Sequence, residues 1–107
     1  RVKKNEDFSL IIKEKQSLAN RSFIIYYRKN DYPNARVGIS VSKKLGKAVV
    51  RNKTKRQVRM MVQQTIDFEK SYDYIVIIRD KYLKLDFNSN LNELQYLYKK
   101  ILKRMEK

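Results

Sequence analysis

A chain of 107 residues has room for one modest hydrophobic core, so residues 1–107 are expected to form a single domain. Hydrophobic residues make up 42% of it, enough for a globular fold, while 26 Lys and Arg against 11 Asp and Glu leave a net charge of +15, which exceeds what solubility needs and is relieved by a polyanionic partner. The absence of Cys and His excludes disulfides, thiol nucleophiles, zinc-thiolate sites and the commonest general base.

In chain order, NEDFSLIIKEKQ opens on Asn5 as a candidate cap, with Glu6 and Asp7 in the first turn and Phe8, Ile11 and Ile12 at helical spacing. A short amphipathic helix is predicted there. The β-branched and aromatic stretch that follows breaks at Asn20-Arg21, which predicts a short strand over 17–19 and a longer one over 22–28. NDYPNA supplies a turn, and RVGISVS at 36–42 alternates, with Val37, Ile39 and Val41 on one face. RNKTKRQVRMMVQQTI has no Gly or Pro and reads as a helix, and YDYIVIIRD at 72–80 reads as a central strand covered on both faces. After the connection DKYLKLDFNS, a closing helix is predicted with Asn90 as its cap and Glu93 three residues on; its apolar stripe is Leu91, Leu94, Tyr98, Ile101, Leu102 and Met105. The order α-β-β-β-α-β-α predicts an α+β fold with helices packed on one four-stranded sheet. Apolar runs such as YIVII at 74–78 are too short to span a bilayer, and no secretory signal is legible, so a cytoplasmic protein without a membrane partner is expected. The chain opens on Arg1, and a few residues are expected to precede it.

The charge is concentrated. Between Tyr32 and Ile66 there is no Asp or Glu, yet nine Lys or Arg residues fall there. On a helix, Asn52, Lys55, Arg56, Arg59 and Gln63 share an arc of about 100°, while Thr54, Val58, Met61, Val62 and Thr65 occupy the opposite one. One face packs and the other is cationic. A merely solvated face mixes signs to gain i, i+4 pairs, and this one forgoes them. Arg offers a rigid fork, Lys a point charge and Asn a donor and an acceptor, which together suit phosphates and base edges. Nucleic-acid binding is therefore expected. The accompanying aromatics Phe8, Phe23, Tyr26, Tyr27 and Tyr32 favour unpaired RNA, whose bases stack on such rings; Phe23, in an alternating strand, reads as core, and Phe8 and Tyr26 suit either role. LGKAVV is not a phosphate-cradling loop, because Val41 and Ala48 stand where its outer Gly and its Ser or Thr belong. With no His, no Cys and no paired carboxylates in the basic region, no catalytic side chain is expected.

The stretch SVSKKLGKAVVRNKTKRQVR closely resembles the protein component of bacterial ribonuclease P, and KKNEDF at 3–8 and SLANRSFIIYY at 17–27 extend the resemblance in order and spacing. It implies a fold of the ribosomal-protein S5 second-domain type, with a left-handed crossover between the third and fourth strands where general rules give a right-handed one. In that family the protein assists a catalytic RNA that, with Mg²⁺ held mainly by the RNA, removes the 5′ leader of precursor tRNA. By resemblance, Arg51, Asn52, Lys53, Lys55, Arg56 and Arg59 face the catalytic RNA, with Lys43 and Lys44 on the approach. Phe8, Ile12 and Tyr26 line a cleft for the single-stranded leader between the first helix and the sheet. Two positions depart from the pattern: Ile12 stands where the family often has an aromatic, and Lys53 where the signature has its second Arg. No small-molecule substrate is implied. The competing reading is a ribosomal or other structural RNA-binding protein with no part in cleavage.

Overall fold

Asn20 makes the first turn. Its Oδ1 accepts hydrogen bonds from the backbone N–H groups of Ser22 (3.2 Å) and Phe23 (3.0 Å), and its own N–H donates to the Phe23 carbonyl at 2.9 Å, so the Asn side chain replaces the backbone partners that a tight turn lacks. This folds β1 (Ser17–Ala19) back on β2 (Phe23–Lys29) in an antiparallel pair. The computed structural model describes residues 16–105; the expected first helix, with Phe8 and Ile12, lies outside the described residues.

β3 (Arg36–Val41) and β4 (Tyr72–Ile78) complete a sheet of order β1-β2-β4-β3. β4 pairs antiparallel with β2 and parallel with β3. It is central, as its nearly continuous apolar run predicts. The parallel pair requires a crossover, and the helix α1 (Ala48–Thr65) supplies it, joining the third strand to the fourth. The closing helix α2 spans Phe87–Met105. Short 3₁₀ segments precede α1 and α2, Lys43–Leu45 and Asp80–Lys84 respectively.

Register sorts the side chains into two faces. Phe23, Ile25 and Tyr27 of β2 pair with Ile78, Val76 and Tyr74 of β4, and all six are buried in one core with Val58, Met61 and Val62 of α1 and Leu94, Leu97, Tyr98 and Ile101 of α2. Val37, Ile39 and Val41 pack against the same core. The other face carries a smaller cluster, Ile75 with Tyr26 and Ile77. Both helices therefore lie on one side of the sheet, and Tyr26 is on the other.

The predicted cap of the closing helix is corrected. Asp86, not Asn90, precedes α2, and its Oδ1 accepts from the Ser89 N–H at 2.7 Å. That hydrogen bond from Ser89 holds the Asp86 carboxyl below the usual aspartate range. Asn90 is buried one turn inside, where its Oδ1 accepts from Ser22 Oγ (2.7 Å) and its Nδ2 donates to the carbonyls of Tyr82 (3.0 Å) and Leu85 (3.3 Å). Glu93 closes no capping box; its carboxylate accepts from Arg21 Nε at 2.6 Å. Asn90 thus pins α2 to the β1–β2 turn and to the 3₁₀ segment within DKYLKLDFNS.

Candidate nucleic-acid interface

The chain leaves the β3 edge through a short built turn. Ser42 Oγ accepts the Lys44 N–H at 3.2 Å, the Gly46 N–H donates to the Lys43 carbonyl at 3.3 Å, and Leu45 is buried as an anchor. Gly46 sits at φ +134°. A Cβ there meets Val50 at an ordinary 3.6 Å, so the requirement for glycine is the backbone conformation, which other residues adopt only with strain. With Leu45 turned inward, Lys43, Lys44 and Lys47 are exposed at the entry to α1.

α1 begins at Ala48, three residues earlier than its sequence pattern suggests, and its first turn contains no acid. Lys47 at the cap adds a cation to the positive end of the macrodipole, an unfavourable placement of about 0.3–1 kcal/mol at low ionic strength. The helix is held by its other face. Thr54, Val58, Met61 and Val62 are buried, Thr54 Oγ1 donates to the Val50 carbonyl at 2.8 Å, and Gln57 Oε1 accepts from the Tyr82 hydroxyl at 2.9 Å. Burial raises the Tyr82 hydroxyl to about 12, so it stays protonated as the donor.

The outward arc is as the 100° spacing predicts. Asn52, Lys53, Arg56, Arg59 and Gln63 are exposed, and Arg51 and Lys55 are half-buried at its margins. Among the described residues the arc's cations form no ion pair, the pairs present being Arg21 with Glu93 and Arg36 with Asp73. Arg51 Nε is shielded from solvent and has no hydrogen-bond partner among the described residues. Val49 and Val50, which no sequence pattern singles out, lie exposed in the first turn beside these cations, Val49 at 80%.

The aromatics divide. Phe23 and Tyr27 are core, Phe23 meeting the Tyr82 ring edge-on at 5.7 Å. Tyr26 is half-buried on the opposite face, opposite Ile75 in β4 and Ser17 in β1, with Gly38 of β3 beyond Ile75. Ser17 flanks it on the β1 side and the buried Ile75 on the β4 side. The cationic arc and Tyr26 are on different sides of the sheet, and β3, the edge strand from which the basic turn departs, borders both. Among the described residues no group of three or more Asp or Glu side chains is placed to hold a metal ion. No helix among them is long and apolar enough to cross a membrane.

These features define a class: a small basic α+β domain, its two described helices on one face of the sheet, whose densest positive charge is displayed on a crossover helix entered from an edge strand. Within that class the chain belongs to the ribonuclease P protein family, whose model, described as Ribonuclease P, matches residues 1–102. It is 47% identical over 104 residues to the ribonuclease P protein component of Mesoplasma florum, covering 95% of this chain and 94% of that one. Among solved structures it is similar to the RNase P protein of Staphylococcus aureus, with a TM-score of 0.83 and 41% identity over 92% of each chain. The RNase P protein of Thermotoga maritima gives a TM-score of 0.79 and 38% identity, over 91% of this chain and 93% of that one.

Proposed function

We propose that the chain is the RNA-binding protein subunit of a ribonuclease P ribonucleoprotein that removes the 5′ leader of precursor tRNA endonucleolytically. Lys43, Lys44, Arg51, Asn52, Lys53, Lys55, Arg56 and Arg59 bind the catalytic RNA, and the Tyr26 face of the sheet, with Phe8 and Ile12, receives the single-stranded leader. The protein contributes binding energy and charge neutralisation, and its partner RNA contributes catalysis with Mg²⁺ held by that RNA. The observation that carries this reading is the arc of α1: guanidinium, ammonium and amide groups on one outward face, with no carboxylate among the described residues paired to its cations. Such a face destabilises the free protein by self-repulsion and is relieved by phosphate.

Lys53, in place of the family's second Arg, makes a point-charge contact where an Arg makes a bidentate one. If roughly six of these cations contact phosphates, log affinity for the catalytic RNA falls with log salt at a slope of about −4 to −5. Filter binding across a salt series measures that slope; an affinity nearly independent of salt contradicts the proposal.

A further inference from the structure

Neither surface above uses Tyr32. Its ring, in the turn between β2 and β3, is 52% exposed, and Arg36 Cζ lies 4.2 Å from its centroid. The guanidinium covers one face of the ring, so the exposure belongs to the other. Arg36 is itself fixed: Nε donates to Asp73 Oδ1 at 2.8 Å and Nη2 to Oδ2 at 2.6 Å. The same buried carboxylate accepts Asn30 Nδ2 at 2.7 Å, and Asn30 Oδ1 accepts the Tyr32 backbone N–H at 2.9 Å. One carboxylate therefore holds both the guanidinium behind the ring and the backbone that carries the ring.

The register places this assembly beside the leader face. Arg28, Asp73 and Arg36 are paired in one row of the sheet, and the next row on the same face, two residues along each strand, is Tyr26, Ile75 and Gly38. The rows are about 7 Å apart. The outer row carries two arginines and one aspartate.

The geometry points to Tyr32 as a second stacking platform for an unpaired base of the leader, beyond the base at Tyr26, with Asp73 as the positioning residue. The inference rests on the leader reading above. A ring already backed by a cation and pinned through its turn loses little freedom when a base lands on it, and base–aromatic stacking tolerates any sequence because every base has a π face. The platform thus rewards leader length rather than leader sequence.

The test is equilibrium binding of precursor tRNAs with leaders shortened one nucleotide at a time, to the complex of this protein with a bacterial ribonuclease P RNA. Tyr32→Ala is expected to weaken binding about fivefold or more for long leaders only, so that its affinity curve merges with wild type below a threshold length. Tyr32→Phe keeps the ring and is expected to keep the long-leader affinity. Tyr26→Ala is expected to lose affinity at shorter leaders too. Equal binding of wild type and Tyr32→Ala at every length, or an equal loss on leaderless tRNA, overturns the platform while the response to Tyr26→Ala leaves the leader reading standing. No dependence on leader length for any protein, including wild type, overturns both.

Discussion

Arg56→Ala is expected to weaken binding to the catalytic RNA by about 10- to 150-fold, with no loss of protein stability. Arg56 is exposed at the centre of the α1 arc, and among the described residues it has neither an ion pair nor a hydrogen bond to lose within the protein. Its removal therefore registers only in the complex, where a hydrogen bond to a charged group is worth about 1.5–3 kcal/mol. The salt slope should become shallower by roughly one contact. Phe8→Ala, by contrast, is expected to spare binding of the catalytic RNA and reduce the preference for substrates that carry a leader. Binding to the RNA in a salt series, set beside competition between leader-bearing and leaderless tRNA, separates the two surfaces. Equal effects of both variants on leaderless tRNA contradict the division of labour.

Asp73→Ala is expected to be the most destabilising single change to a polar residue, costing about 3–5 kcal/mol, because it leaves the Arg36 guanidinium part-buried without its bidentate partner. It also releases Asn30, and with it the β2–β3 turn. For a domain of this size the melting temperature falls by on the order of 10–20 °C. Burial pushes the Asp73 carboxyl up, but the hydrogen bonds from Arg36 and Asn30 and the charges of Arg36 and Arg28 outweigh it, so its pKa lies below the ordinary 3.8. A carboxylate depressed in this way stabilises the fold fully above about pH 5, and the contribution is lost as pH falls below 3.8 through the folded value. The difference in stability between wild type and Asp73→Ala should accordingly be largest near neutrality and shrink on acidification. Urea denaturation at several pH values measures it; a difference that grows toward low pH contradicts the assignment.

Local pattern and long-range pairing explain which features were legible in the sequence. The α1 arc was legible because burial of Thr54, Val58, Met61 and Val62 follows from a single helical period, and β1 because an Asn-Arg break bounds it. β4 ends at Ile78, two residues short of the predicted limit, as Arg79 leads into a 3₁₀ turn whose buried residue, Tyr82, packs on Phe23. The sequence pattern does not decide the cap, because Asp86 and Asn90 both satisfy the local signature of a helix start. The choice is made by Ser22, which lies 68 residues from Asn90 and needs its side chain. The pairing of Arg36 with Asp73, 37 residues apart, requires the parallel register of β3 and β4, which no local pattern encodes. Its one sequence signal was an Asp within the otherwise apolar run YDYIVII. The same distance effect hid Tyr32: its aromatic character was plain, its cationic backing was not.

The central claim is that the protein binds and the RNA cleaves. It is tested most directly by assaying 5′ processing of precursor tRNA at low Mg²⁺ with this protein alone, with a bacterial ribonuclease P RNA alone, and with both. The account predicts mature 5′ ends only in the mixture; cleavage by the protein alone, or a mixture no more active than the RNA by itself, contradicts it.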